Sequence, residues 1–187
     1  MNTSEKREQI LEAANRLFEL QGFNGTGVDQ ISKESGVTKR TLYKHFGSKE
    51  GLIQEVLMDH HNKMFADVQR RILSLDGSAH EKLMACFEYY YDWFRSPRFS
   101  GCIFIKTLNE LGGCSTELGR IAQNAKNTMR GFIIQIAEEG KFNEPECLAM
   151  ELQLLLEGSI VLAQAGKPEG IQVAKKLAER LIVSEGN

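Results

Sequence analysis

The most concentrated chemical character in the sequence lies between residues 38 and 49, where cations occur with no acid between them. These cations are Lys39, Arg40, Lys44 and Lys49. The whole chain of 187 residues has 23 Lys and Arg against 25 Asp and Glu, a formal net charge of −2, so this segment is a local exception. A concentrated basic patch in a nearly neutral protein is typical of binding to the phosphates of nucleic acid.

Two apolar residues in this segment predict that the polar side chains share one side of a helix. Leu42 and Phe46 are four positions apart, so they fall on the same helical face and form its buried side. Tyr43 is expected to pack its ring inward and to offer its hydroxyl to a phosphate. The outward positions are Thr38, Lys39, Arg40, Thr41, Lys44 and His45. The first of them lie at the helix N-terminus, where unpaired backbone N–H groups favour phosphates or base edges.

A second short helix is predicted before this one, over about residues 28–35. Gly36 separates the two helices and allows the positive φ that a sharp turn needs. A helix, a glycine turn and a cationic helix predict a helix-turn-helix, whose second helix enters the major groove. Lys39 and Arg40 are then expected to contact guanine O6 and N7 or phosphates, and Thr41 a phosphate or a thymine methyl. Spacing alone leaves open a solvated basic face on a small helical bundle.

The stretch GFNGTGVDQISKESGVTKRTLYKHFGSKEGL, residues 22–52, closely resembles the DNA-binding domain of the TetR family of bacterial transcriptional repressors. The resemblance covers about residues 5–55. It includes the turn at Gly36-Val37, the pattern Thr41-Leu42-Tyr43-x-His45-Phe46 and the helix start Ser48-Lys49-Glu50. It implies an all-α homodimer with an N-terminal DNA-binding domain and a variable C-terminal domain for ligand binding and dimerisation. The implied DNA contacts are Thr38, Lys39, Arg40, Thr41, Tyr43, Lys44, His45 and Lys49, with Lys49 on the DNA backbone outside the groove.

One position departs from the pattern of the family. The family usually has Ser or Thr just before Val28, where the hydroxyl caps the second helix and touches a phosphate, whereas this chain has Gly27. Thr26 is the nearest hydroxyl and is therefore included among the expected DNA contacts. His45 has an alternative interpretation as a packed or phosphate-facing neutral residue without a role in pH sensing.

Helical spacing of apolar residues extends over nearly the whole chain and predicts an all-α fold of about nine helices. The expected helices cover roughly residues 4–20, 28–35, 38–46, 49–75, 79–95, 102–111, 115–140, 145–165 and 168–184. We divide the chain into a three-helix helix-turn-helix domain, residues 1–48, and a larger C-terminal regulatory and dimerisation domain, residues 49–187. No apolar run is long enough to cross a membrane, and the charged N-terminus lacks a signal-peptide core, so we expect a cytoplasmic protein.

Helix 79–95 contains six aromatic residues within eight positions, which must cover more than one helical face. One interpretation is a ligand pocket, in which Tyr and Trp supply apolar walls with polar tips. The expected ligand-binding residues are Tyr90, Trp93 and Phe104. Ordinary core packing combined with a subunit contact is the alternative.

Cys102 is the second residue of the segment GCIFIKTLNEL, residues 101–111, which resembles the start of the sixth helix in several branches of the family. In one branch the corresponding cysteine senses electrophiles or oxidants. A helix N-terminus lowers the pKa of a thiol, and Lys106, four positions on, is placed to stabilise a thiolate. The alternative is a small buried cysteine with Lys106 extending to water. The remaining cysteines, Cys86, Cys114 and Cys147, are expected to be packing residues, and all four to be free thiols. Neither a metal site nor a cofactor is expected.

Helix 145–165 is apolar nearly all round in its middle, which indicates burial both by its own domain and by a partner chain. With helix 168–184 it is expected to form a four-helix bundle between two subunits. The predicted dimerisation residues are Leu155, Gly158, Ser159, Leu162, Leu177 and Leu181.

These features together predict a homodimeric repressor that binds a pseudo-palindromic operator in double-stranded DNA. An unidentified small molecule in the C-terminal domain is expected to release it by tilting the long fourth helix. The alternatives are a thiol-based repressor that senses oxidants or electrophiles through Cys102, and a DNA-binding protein without an effector. The sequence shows no pairing of a nucleophile with a general base and no phosphate-binding glycine loop, so an enzyme is not expected.

Overall fold

The computed structural model describes residues 3–97 and 99–185, and these form helices joined by short connections. The α-helices are α1 (Thr3–Gln21), α2 (Val28–Ser35), α3 (Lys39–Phe46), α4 (Lys49–Leu73), α5 (Ala79–Phe94), α6 (Ile103–Glu110), α7 (Glu117–Glu139), α8 (Pro145–Gln164) and α9 (Gly170–Glu185). A single 3₁₀ turn, Gly113–Ser115, precedes α7. The all-α class and the nine helices expected from the sequence are confirmed for the described part of the chain.

The predicted helix bounds lie within two residues of the observed ones, and the end of α4 shows the cause of one such difference. The apolar spacing predicted a helix as far as Leu75, but α4 ends at Leu73 and Leu75 lies in the connection, 40% exposed. Asp76 and Gly77 follow directly and Ser78 caps the next helix, so local turn residues override the apolar period. The 3₁₀ turn was not predicted either, because its glycines were interpreted as a simple break.

One compact unit of the structure comprises Met1–Lys63 and Cys102–Ala125. Here α1 packs against α2 and α3, and α2 packs against α3. The centre is fully buried and includes Phe18, whose ring lies 5.0 Å from that of Phe23. Other buried members are Ile10, Ala14, Ile31, Leu42 and Leu52. This core is what fixes the orientation of α3.

The other compact unit comprises Met64–Gly101 and Lys126–Asn187. In it α8 packs against α9, and α5 packs against both. Its buried residues include Leu83, Phe87, Leu148, Leu152, Ile160, Ile171 and Ala178. Lys126 of α7 forms a largely buried ion pair with Glu157 of α8, at 2.7 Å between Nζ and Oε2. The helices of this unit therefore have both an apolar core and a polar tie.

The chain passes from one unit to the other inside α4, between α5 and α6, and inside α7. The functional boundary predicted after residue 48 stays a prediction, since the units are defined by packing alone. Across the described residues, every helix is too short or too polar to span a lipid bilayer.

Candidate nucleic-acid interface

Local capping residues fix both ends of α3. Gly36 ends α2 with φ 66°, the left-handed conformation that the turn requires and that glycine adopts without strain. Thr38 then caps α3, its Oγ1 accepting a hydrogen bond from the backbone N–H of Thr41 at 3.3 Å. Gly47 ends the helix at φ 73° and donates its backbone N–H to the carbonyl of Tyr43 at 2.9 Å. The glycine turn expected from the sequence is confirmed.

The side chains of α3 divide between the core and solvent as their spacing predicted. Leu42 is fully buried and Phe46 is 8% exposed, so these two anchor the helix. We call the exposed side chains of α3 the reading face; they are Lys39, Arg40, Tyr43 and Lys44. Thr38 is exposed beside them, and Thr41 and His45 are half-buried. Tyr43 is 46% exposed, so its ring is less buried than predicted. A rigid cationic helix of this kind fits the width of a major groove.

The charge of the reading face is modified by an acid that the sequence pattern did not reveal. Asp29, in the first turn of α2, forms an ion pair with Lys39, the first residue of α3. Both side chains are more than half exposed. Because Asp29 is ten positions away in the sequence, only the fold of the helix-turn-helix brings it beside the cations.

Lys49 lies at the start of α4 and is half-buried. Its Nζ donates a hydrogen bond to the backbone carbonyl of Phe23 at 2.7 Å. The ammonium group therefore ties α4 to the loop before α2, in addition to any contact with DNA. This structural partner could not be found from spacing, because it is a backbone atom in a loop.

Thr26 is corrected by the structure. Its side chain is completely buried, and its Oγ1 donates to the carbonyl of Gly22 at 2.7 Å and lies 3.3 Å from that of Leu17. A hydroxyl engaged inside the core has no surface to offer a phosphate, so we remove Thr26 from the expected DNA contacts. Gly27 is the N-cap of α2 and provides no side-chain hydrogen bond there, as the sequence implied.

The predicted ligand-binding residues are distributed over both units. Tyr90 and Trp93 lie in α5, with ring centroids 5.7 Å apart, in a cluster that also contains Phe94 and Phe99. Tyr90 is 7% exposed, whereas Trp93 is half-buried. Phe104 lies in α6, in the other unit, and its ring meets the edge of His60 at 5.6 Å. The role of these three residues in ligand binding stays a prediction.

Cys102 is the N-cap of α6 and is 6% exposed. The ammonium of Lys106 donates to the backbone carbonyl of Glu19 in α1, so it is engaged away from its predicted role. Burial lowers the pKa of Lys106, while Glu19, Glu110 and Cys102 oppose that change. All four cysteines are free thiols, as expected, and Cys86 and Cys102 are buried. Cys114 and Cys147 are exposed, so the expectation that these two are packing residues was wrong. Burial raises the pKa of Cys86 to about 12, which makes it an inert packing residue.

His60 of α4 is a largely buried titratable group that contacts α1. Its Nδ1 lies 3.4 Å from both the Oδ1 of Asn15 and the Oε1 of Glu19. Burial lowers the pKa of His60 to about 4, although the nearby Asp59 acts in the opposite direction. The ring is therefore neutral at neutral pH and serves the packing of α4.

The predicted dimerisation residues are only partly on the surface of the chain. Ser159 is 2% exposed, and its Oγ donates to the carbonyl of Leu155 at 2.7 Å, so this residue is buried in its own subunit and the prediction is corrected. Gly158 is exposed, and a Cβ added there would meet no atom within 4 Å. Leu162 and Leu177 are 43% and 41% exposed; Leu155 and Leu181 are half-buried.

Sequence reasoning missed the most exposed apolar residues of these helices. Leu154 is 72% exposed, Val161 55% and Val173 61%. We call these three, with Gly158, Leu162 and Leu177, the α8–α9 stripe. Their spacing of three and four was visible in the sequence, but so were other apolar positions of α8, and only the packing of the subunit separates the two sets.

Among the residues that the structure describes, no three His, Cys, Asp or Glu side chains are grouped so as to hold a metal ion. Shallow surface grooves occur among the described residues of the unit that contains α5 and α9. One of about 460 Å³ is lined by Leu75, Met84 and Ala85 together with charged residues of α4, α5 and α9. It is open to solvent and does not include Tyr90 or Trp93.

Comparison with protein families matches residues 10–56 to the model described as bacterial regulatory proteins, tetR family. The matched segment ends in α4 and contains α2 and α3 entirely. It therefore includes every residue of the reading face.

Curated relatives are similar along most of the chain. The HTH-type transcriptional regulator YjdC of Escherichia coli is 24% identical over 180 residues, which cover 95% of this chain and 93% of YjdC. The HTH-type transcriptional repressor NemR of Escherichia coli is 23% identical over 158 residues, covering 84% of this chain and 78% of NemR. A crystal structure of a TetR-family transcriptional regulator from Streptomyces coelicolor has a TM-score of 0.91 at 25% identity, covering 98% of this chain and 97% of that one. The similarity thus extends from the DNA-binding helices to the whole fold.

Proposed function

We propose that this chain, which belongs to the TetR family of helix-turn-helix transcriptional regulators, is a homodimeric repressor released from its operator by an effector. The observation that supports operator binding is the reading face of α3. Its cations are exposed, while Leu42 and Phe46 anchor the helix from behind. The similar protein NemR of Escherichia coli is itself a transcriptional repressor.

A dimer is proposed because one reading face contacts too few base pairs to specify an operator. A single helix contacts only a few base pairs, so two copies are needed for a site that is specific in a genome. The α8–α9 stripe consists of exposed apolar residues on two helices that pack against each other, and the open space at Gly158 permits a further helix to approach closely. We propose that this stripe packs against its symmetry mate and spaces two reading helices about one DNA turn (~34 Å) apart.

Release by an effector requires that the effector bind one conformation more tightly than another. We propose that it binds in the C-terminal domain near the aromatic cluster of α5, and that the change reaches the reading helices through α4. Operator affinity then falls because the two helices no longer match both half-sites. Tyr90 and Trp93 are the residues whose substitution tests this site.

Selection of bound duplexes from a random pool tests DNA binding directly. We expect enrichment of a pseudo-palindrome whose half-sites are separated by about one helical turn. The selected operator then serves to screen small molecules for loss of binding. Absence of any enrichment, together with no binding to duplexes at low salt, would contradict the proposal.

A thiol-based mechanism is a second candidate, supported by the position of Cys102 as the N-cap of α6. Oxidants or electrophiles would then release the operator. Cys102→Ser should abolish that release, whereas Cys147→Ser, which alters an exposed thiol, should retain it. An unchanged response in Cys102→Ser would exclude this candidate.

A further inference from the structure

The ion pair between Asp29 and Lys39 places a carboxylate beside the reading face, where DNA would favour positive charge. Asp29 is 78% exposed and Lys39 is 53% exposed, so neither group is held by burial. An acid in the first turn of α2 is favourable for the helix dipole, especially since Gly27 supplies no side-chain cap. That interaction explains an acid at the start of α2, but it does not require that the acid meet the first residue of α3.

The chemistry of the ammonium group distinguishes the two kinds of DNA contact open to Lys39. An ammonium has three N–H donors and no acceptor, so it can keep one hydrogen bond to Asp29 while others reach the O6 and N7 of a guanine. A phosphate is different, because it would bring a full negative charge close to the carboxylate of Asp29. The same acid therefore tolerates a base contact by Lys39 and disfavours a backbone contact.

The ion pair is expected to lower the affinity for DNA of random sequence more than the affinity for the operator. Binding to random sequence depends almost entirely on contacts between cations and phosphates. An acid that withholds one cation from phosphates lowers this binding, whereas base contacts at the operator are retained.

We propose that Asp29 is a specificity-determining residue that holds Lys39 for base-edge contact and lowers affinity for non-operator DNA. The proposal rests on the proposed function, since it assumes that α3 enters the major groove. Asp29 acts through its ion pair with Lys39, without contacting a base.

Asp29→Asn tests the proposed role of Asp29, because it removes the negative charge and leaves the shape of the side chain nearly unchanged. Exposed ion pairs are weak, so we expect affinity for a random-sequence duplex to rise roughly two- to fivefold at low salt. Affinity for the selected operator should rise less, and the ratio of the two affinities should fall. Asp29→Glu retains the carboxylate and should retain the wild-type ratio, while circular dichroism verifies that each variant keeps its helical content.

Glu34→Gln is the matched control, because it removes one negative charge from the same helix. The carboxylate of Glu34 pairs with Arg16 of α1 and not with α3. An equal fall of the affinity ratio in Glu34→Gln and Asp29→Asn would overturn the proposal, since net charge alone would then explain it.

A second background isolates the part played by Lys39. In Lys39→Ala, the further change Asp29→Asn should alter the affinity ratio much less than in the wild type. If Asp29→Asn changed the affinity ratio in Lys39→Ala as much as in the wild type, the proposal that Asp29 acts through Lys39 would be overturned. Failure of the wild-type protein to bind any duplex is a separate outcome, because it contradicts DNA binding itself.

Discussion

Arg40 and Lys44 are exposed on α3 one turn apart, yet we expect them to contact different parts of the duplex. Arg40 lies near the N-terminus of the helix, where side chains meet base edges, and its planar fork suits guanine. Lys44 lies in the last turn and is expected to contact a phosphate.

Arg40→Ala should therefore change the selected half-site, with a loss of about 1–3 kcal/mol of discrimination at one position. Lys44→Ala should weaken binding to all sequences about equally and lower the salt slope by about one. Selection from a random pool and binding titrations at several salt concentrations measure the two effects. An unchanged half-site with Arg40→Ala would remove this residue from base recognition.

His60 gives the stability of the protein a defined pH dependence. Its pKa of about 4 in the folded chain lies below the value of about 6.5 expected after unfolding. Between these values the unfolded chain binds the proton and the folded chain does not, so stability is lost as the pH falls.

The expected loss through His60 is on the order of 3 kcal/mol between about pH 7 and about pH 4. His60→Gln should reduce the dependence of the free energy of unfolding on pH. The control is His45→Gln, which replaces a half-buried histidine of α3 and should retain that dependence. Denaturant unfolding at a series of pH values measures both. Equal slopes in the wild type and His60→Gln would show that burial of this ring does not govern the acid sensitivity.

The incorrect predictions for Thr26 and Ser159 have the same physical cause. Thr26 and Ser159 are small hydroxyl residues that satisfy backbone carbonyls inside their own subunit. A hydroxyl of this kind looks the same in a sequence whether it faces a phosphate, a partner or a carbonyl. The cations of α3 were predictable because Leu42 and Phe46 define the buried side, and charged groups must then face water.

At the scale of the helices, the ends of α3 and α5 are fixed by the same device. Thr38 caps α3 through the backbone N–H of Thr41, and Ser78 caps α5 through a reciprocal capping box with Glu81. The two caps differ in where they lie, because only Thr38 adjoins the reading face.

Thr38→Ala and Ser78→Ala should each lower the free energy of unfolding by about 1 kcal/mol. Thr38→Ala should also weaken operator binding, since it loosens the N-terminus of α3 and removes a predicted contact. Ser78→Ala should leave operator affinity unchanged at a temperature where the protein is folded. Thermal unfolding and binding titrations check the pair, and equal effects of both caps on DNA binding would contradict the assignment.

Helix positions were predicted well from the sequence because the chain contains only three prolines and many of its glycines lie between helices. The end of α4 was missed because Leu75 continues the apolar period, while Asp76 and Gly77 set the actual turn. The ties made by Lys49 and Lys106 were not predictable, since each ammonium binds a backbone carbonyl distant in sequence. Contacts of side chains with loop backbone depend on the fold and leave no periodic signal.

At the scale of the whole molecule, the proposed function requires that the α8–α9 stripe form the dimer interface, so that one dimer carries two reading faces. Leu154 is the most exposed large apolar side chain among the residues that the structure describes, so its substitution leaves the core of the subunit intact. Leu154→Glu should give folded monomers with a strongly reduced operator affinity, because burying an unpaired charge in the interface is costly.

Leu20→Glu is the control, since Leu20 is 66% exposed but lies in α1, far along the chain from the stripe. It should remain dimeric. Light scattering during gel filtration gives the mass of each variant. A dimer that persists in Leu154→Glu would place the interface elsewhere.

The central claim is that charge concentrated on α3, and not the charge of the whole protein, binds DNA. The triple variant Lys39→Ala, Arg40→Ala and Lys44→Ala removes three cations from the reading face. A matched variant removes three exposed cations elsewhere, through Arg95→Ala, Arg120→Ala and Lys167→Ala. Operator titrations at one fixed salt concentration should show binding lost in the first variant and retained in the second. Equal binding by the two variants would contradict the account.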